Sequence, residues 1–317
     1  MRTVSMVITA VALLVGLYLG GQASVLDLPS VIFIIFTGFA LLLMSCSVRE
    51  IGAALAYPAK HQPTDDESSA ASKVSLIAIR SLLYAGVMGV LIAGVQMLQN
   101  LGDLSGLPLQ IAVSMIPALY AFVVAVALFL PIYFLAASQL PNPESPAEPK
   151  ADTPGMQQWL IGMVIVLGLF FAIINSGGGE LNVWIDIPSL LIVVGGMVGV
   201  VLLSQTLQEG VQRDALLNMA LFFLMICGQF AGLIRMLSYV NQPGEVGPGM
   251  ALVLLSSLYA LLAASLFTMP WGDRLKSTEQ PRRVEQLNLS VYLIPSMAFL
   301  GWALSFAFLF WAMAGSS

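Results

Sequence analysis

Nine stretches of this sequence, 4–20, 30–47, 76–98, 110–137, 157–175, 189–206, 216–240, 249–270 and 291–314, run almost without charge at lengths that match a bilayer. A membrane helix needs about 20 mostly apolar residues at about 1.5 Å rise each, so the expected fold is an all-α integral membrane protein with nine transmembrane helices. Composition agrees: 58% of residues are hydrophobic and 9% charged, against about 25% charged in an average soluble domain. A net charge of -5 with 12 Lys and Arg offers no basic patch for nucleic acid. Cys46 and Cys227 lie at or inside apolar runs without metal-ligand spacing, and His61 is the single histidine. Neither a metal site, a disulfide framework nor a histidine-based catalytic centre follows from these residues. No enzymatic activity and no cofactor is expected.

The first stretch also has the form of a secretory signal, with Arg2 before an apolar run and Gly21-Gln22-Ala23 as a small-residue site. It is read as a span because the same segment recurs later in the chain. Lys and Arg fall in alternate loops: Arg2, then Arg49, Lys60 and Lys73, with Arg80 opening the third span, then Lys150, Arg213, and Arg274 to Arg283. Loops 21–29, 99–109, 176–188 and 241–248 have none. Basic residues are retained on the cytoplasmic side, so the amino terminus is expected inside and the carboxyl terminus, after nine spans, outside. Arg235 alone breaks the pattern.

The sequence repeats itself. Asp27-Leu28-Pro29-Ser30 matches Asp186-Ile187-Pro188-Ser189 at an offset of 159. Gly89, Met97-Leu98, Ala112, Leu119-Tyr120 and Pro131 match Gly228, Met236-Leu237, Ala251, Leu258-Tyr259 and Pro270 at an offset of 139. The difference is absorbed in one cytoplasmic loop, longer in the first copy. Four spans per copy give both the same orientation, so the expected organisation is two parallel four-helix repeats, 1–138 and 157–276. A Pro-rich cytoplasmic linker at 139–156 joins them, and 277–317 adds a short loop and the ninth helix. Inverted repeats around broken helices, common in secondary transporters, are not evident.

Ser176-Gly177-Gly178-Gly179 followed by the run from Trp184 to Gly196 resembles the first external loop and second helix of flagellar stator subunits in the MotA/TolQ/ExbB proton-channel family. The run Gly232-Leu233-Ile234-Arg235-Met236-Leu237, then Val246 to Leu252 and Ser256-Ser257-Leu258-Tyr259, is similar to that family's third and fourth helices. The second copy carries most of this signal, over roughly residues 157–276. The resemblance implies an oligomer around a single-span partner helix that carries an intramembrane Asp, in a bacterial inner membrane, with proton or sodium flow coupled to work. It places the family's polar, often Thr-Thr, position at Ser256-Ser257, against Ile116-Pro117 in the first copy, and Gln229 where a Thr follows the third helix's Gly. The family's large cytoplasmic helical domain is reduced here to 205–215, which leaves little protein to touch a flagellar rotor.

Each candidate residue also has an ordinary reading. Ser256 and Ser257 line an ion path or bond back to their own helix. Gly86, Gly89, Gly228 and Gly232 read as small residues that let helices approach closely in lipid. The motifs Asp27-x-Pro29-Ser30 and Asp186-x-Pro188-Ser189 read as helix starts, with Asp as cap and Pro in the first turn. With Asp103, Glu180 and Glu245, the two aspartates form an alternative external cation funnel. Arg235 snorkels to the interface, repels cations or pairs with a partner's acid. Asp65-Asp66-Glu67 and His61 read as solvated loop residues. The favoured function is a channel-like subunit, with a non-conducting membrane scaffold second and a secondary transporter third.

Overall fold

The structure, a computed structural model, describes residues 27–60, 63–98, 107–139, 155–176, 181–204, 210–239, 243–270 and 289–314. The span expected at 4–20, His61, Asp103, Glu180, most of the 139–156 linker and the 271–288 loop lie outside them. All elements among the described residues are helical. Among the described residues, seven helices are long and apolar enough to cross a membrane: Leu28–Ser45, Asp65–Leu98, Leu109–Ala137, Met156–Asn175, Leu216–Ser238, Val246–Thr268 and Tyr292–Trp311. Ile187–Leu202 is apolar but shorter. The chain is therefore a multi-pass membrane protein.

In chain order the α-helices are α1 Leu28–Ser45, α2 Val48–Ala56, α3 Asp65–Leu98, α4 Leu107–Ser114, α5 Ile116–Val124, α6 Leu130–Ala137, α7 Met156–Ser176, α8 Ile187–Leu190, α9 Gly196–Ser204, α10 Gly210–Ser238, α11 Pro243–Ala263 and α12 Leu289–Ala314. Contact density divides the chain into two compact units. The first holds Met1–Gly86, Ile116–Leu169 and Lys276–Arg283; the second holds Val87–Met115, Phe170–Leu275 and Val284–Ser317.

In the first unit α1 packs on α5. The close approaches fall at glycines: a Cβ on Gly86 would lie 2.7 Å from the Ala121 Cβ, and one on Gly38 would lie 2.9 Å from Leu82 Cδ2. Gly89 is buried on α3. The loop expected before the third span is largely helical, so Asp65-Asp66-Glu67 lie on a helix and not in a loop, while Asp65 and Asp66 are exposed as expected. These three acids form the first turn of α3, eleven residues ahead of the expected start at 76. Acids belong there, beside the unpaired amides of a helix amino terminus. Ahead of them, Ser47 and Glu50 close a reciprocal cap on α2, with Glu50 N–H donating to Ser47 Oγ at 3.3 Å and Ser47 N–H to Glu50 Oε2 at 2.9 Å. Ile51, Ala54 and Tyr57 are buried beneath this elbow. It is tied to α3 by Tyr57 Oη with Ser68 Oγ at 2.8 Å and Lys60 Nζ with Glu67 at 2.6 Å. Arg80, placed at the start of a span, is instead buried well inside α3.

Prolines set the breaks. Pro117 has no N–H and its ring crowds the carbonyl four residues back, and the helix pauses at Met115 between α4 and α5. Ahead of Pro131 the turn widens to a π segment, Ala125–Phe129, closed by Leu130 N–H donating to Ala125 O. Ahead of Pro270 the same widening occurs at Ala264–Thr268, closed by Met269 N–H donating to Ala264 O. Such i→i+5 turns relieve the proline clash without ending the helix. The fourth spans are therefore widened at matching positions, a feature invisible to hydropathy. A third π segment, Leu191–Gly195, lies between α8 and α9.

In the second unit α10, α11 and α12 form the core, with Leu221, Met225, Met236, Met250, Leu254, Leu258 and Ile294 fully buried. Lipid tails are as apolar as leucine, so close backbone approach rather than hydrophobicity holds such helices together. A Cβ on Gly232 would lie 2.6 Å from Gly249 O, and one on Gly249 would lie 2.9 Å from Gly232 O. The two glycines admit each other.

Candidate functional site

The repeated Asp-x-Pro-Ser motif opens a helix in each unit. Asp27 caps α1, accepting from Ser30 N–H at 3.1 Å and from the Ser30 hydroxyl. Asp186 caps α8 in the same way, accepting from Ser189 N–H at 2.9 Å and from Ser189 Oγ at 2.5 Å. Pro29 and Pro188 stand in the first turns, where a missing N–H costs nothing. Each Asp N–H donates to a tyrosine phenol at 3.3 Å: Asp27 to Tyr120 and Asp186 to Tyr259. Tyr259 in turn donates to Trp184 O at 2.5 Å. The aspartates are occupied as caps in both units. Asp27→Ala and Asp186→Ala are each expected to lower stability by about 0.5–2 kcal/mol, with Asn at either position losing much less. Thermal unfolding in detergent measures both.

The polar residues of the second unit converge in its interior. Ser256 and Ser257 are completely buried, and Gln229 is 8% exposed. Ser256 Oγ donates to Val253 O at 3.2 Å and Ser257 Oγ to the same carbonyl at 2.8 Å. Both hydroxyls therefore bond back to their own helix, as serines in lipid-embedded helices do. Gln229 reaches across from α10: its Nε2 donates to Ser257 Oγ at 2.9 Å and to Met297 O of α12 at 3.0 Å. Interhelical bonds of this kind are worth about 0.6 kcal/mol each, enough to fix a side chain but not to lock two helices. Gly228 makes the contact possible, because a Cβ there would overlap Ser256. Gly301 does the same from α12, where a Cβ would overlap the Gln229 amide.

The structure thus brings together the three candidate ion-path residues and adds α12, which sequence reasoning set apart from the site. Ala298, Gly301 and Ser305, all buried, place small residues on one face of α12 at helical spacing. That pattern was readable beforehand. The offset of 139 also puts Pro117 and Ala118 opposite Ser256 and Ser257, one residue on from the Ile116-Pro117 pair. Neither carries a hydroxyl, so the difference between the halves remains.

Arg235 lies outside the cluster, exposed in the last turn of α10. A cation there interacts favourably with the helix carboxyl end by about 0.3–1 kcal/mol. Arg235→Gln is therefore expected to cost under about 1 kcal/mol, and Gln96 occupies the position 139 residues earlier. Thermal unfolding of this variant in detergent checks the figure, and a large loss of folded protein would mean that the charge is paired in the assembled protein. Among the described residues no cluster of His, Cys, Asp or Glu has the form of a metal site.

The chain is 36% identical over 66 residues to Motility protein A of Aquifex aeolicus (strain VF5), a match that covers 21% of this chain and 25% of that protein. The chain therefore spans about a quarter of the length of the curated relative it matches. No family profile matches the chain. No solved structure matches it.

Proposed function

We propose that this protein is a non-enzymatic, channel-like subunit of a bacterial inner-membrane complex, coupling a proton or sodium gradient to work through a partner helix. The observation that carries the reading is the buried Gln229–Ser257 contact between α10 and α11, in a chain partly similar to Motility protein A. Hydroxyl and amide groups can stand in for part of an ion's hydration. A proton relay through hydrocarbon also needs an ionisable group, and the apolar stretches of this chain hold no Asp or Glu. The carboxylate is assigned to a single-span partner. Purification in mild detergent followed by mass measurement of the intact complex tests this. An oligomer with a single-span protein bearing an intramembrane Asp is expected, and an oligomer of this chain alone would overturn the reading.

The same proposal includes a tandem duplication of a parallel four-helix unit. Supporting it, the Asp cap with its tyrosine recurs at Asp27–Tyr120 and Asp186–Tyr259, and the π widening before Pro131 recurs before Pro270. The amino terminus and linker are cytoplasmic and Ser317 is external. Single cysteines at Ser145, Gly178 and Ser316 in a Cys-free background should react with an impermeant thiol reagent on spheroplasts at 178 and 316 only. Labelling at 145 but not 178 reverses the orientation.

One observation favours a second reading, a non-conducting scaffold: both amide donors of Gln229 are already taken, one of them by Met297 O of the chain's own ninth helix.

A further inference from the structure

The face that a partner helix has to meet, on the stator-like reading on which this inference rests, carries Gln229 and Ser257. That face is filled. We propose that α12 is a displaceable cover, holding the Gln229–Ser257 face shut from within the same chain, and that a partner helix presenting a carboxyl group takes its seat.

Helix α12 packs against both α10 and α11. It meets Gln229 with a backbone carbonyl, Met297 O at 3.0 Å, and with the absent side chain of Gly301. No side chain of α12 is committed to the amide: Ser296 Oγ donates to Tyr292 O at 2.9 Å and Ser305 Oγ to Gly301 O at 2.7 Å, both within α12. The seat thus presents a hydrogen-bond donor, and α12 answers it with a neutral backbone carbonyl. A carboxylate accepts roughly twice as strongly as a neutral carbonyl, so a helix carrying one at this level binds the amide better. The remaining hold on α12 is apolar packing by its buried Ile294, Ala298, Trp302, Phe306 and Leu309. Trp302 is braced within α12 itself, stacking on Phe299 with centroids 5.4 Å apart and meeting Phe306 at 5.1 Å. Its ring lies where a Cβ on Gly94 would be 3.2 Å away. Yet the buried Trp302 indole N–H finds no acceptor, a desolvated donor that weighs against the seated state.

The test follows α12 directly in the full chain. With Cys46→Ala and Cys227→Ala, nitroxide labels at Ser238→Cys and Ser296→Cys, both exposed positions on α10 and α12, report the distance between the two helices. The reconstituted chain alone should give one distance. Two perturbations should each add a longer one: Gly301→Leu, whose side chain overlaps the Gln229 amide, and a synthetic Leu/Ala transmembrane helix of about 20 residues with one central Asp. The displaced population should rise at least about fivefold from a minor state below about a tenth, and the same peptide with Leu in place of Asp should leave it unchanged. A single unaltered distance with the Asp peptide would make α12 a permanent structural helix and overturn the proposal. If Gly301→Leu fails to fold, the peptide arm alone decides. Equal displacement by the Leu peptide overturns the carboxyl specificity. Displacement without ion flux in the reconstituted complex retains the cover and removes the channel reading; flux with α12 unmoved does the reverse.

Discussion

Replacing Gly232 by leucine is expected to prevent the chain from reaching a stable folded state, with little or no monodisperse protein recovered in detergent. The physical reason is specific to this crossing. A Cβ at 232 would lie 2.6 Å from Gly249 O and 3.0 Å from Val253 N, backbone atoms that no rotamer change can move. Overpacking a core usually costs about 1–3 kcal/mol, occasionally more, when side chains share the strain. Here α10 and α11 would have to separate, breaking the Gln229–Ser257 bond with them. Gly195→Leu supplies the contrast, since nothing lies within 4 Å of a Cβ at that position. Normal yields of Gly232→Leu would mean that the α10–α11 crossing is looser than its geometry.

Removing both hydroxyls, Ser256→Ala with Ser257→Ala, should cut partner-dependent ion flux at least about tenfold, the equivalent of losing about 1.4 kcal/mol of barrier lowering, and leave assembly intact. Assembly should survive because Gln229 keeps its bond to Met297 O and each alanine removes a hydroxyl donor together with its need for an acceptor; the one Gln229 N–H that loses Ser257 Oγ costs about 1–3 kcal/mol. Ile116→Val, in the half without hydroxyls, should leave flux unchanged. Proteoliposomes holding the chain and its co-purified partner, loaded with a pH-sensitive dye and challenged with a potential, read the result. Absence of flux in the unmodified complex under proton, sodium and potassium gradients would replace the channel reading with the scaffold.

The amino-acid sequence by itself determined that the chain is built of apolar helices and, for most of those among the described residues, which stretches form them. Each described helix from α1 onward lies over an apolar stretch except α2 and the first turns of α3, α10 and α11. Hydrocarbon admits only backbone that bonds to itself, so a long uncharged run can hardly become anything else. The Asp-x-Pro-Ser starts were legible for the same local reason: cap, proline and first amides are neighbours in sequence. So was Gly232, as a small residue at helical spacing from Gly228; its partner in the crossing, Gly249, was not. The elbow of α2 was not, although Ser47 and Glu50 have the spacing of a reciprocal cap. It is short and polar, and its stability comes from burying Ile51, Ala54 and Tyr57, which only the assembled chain can do.

What the tertiary structure decided is which polar groups meet. Hydropathy cannot distinguish a leucine facing lipid from one facing another helix, because the two environments are nearly equal in polarity. Pairing is left to shape. The gaps at Gly228 and Gly301 let Gln229 lie between Ser257 and α12. That juxtaposition joins α12 to the site, although its sequence, with neither Asp nor Glu, pointed there only through the small residues Ala298, Gly301 and Ser305.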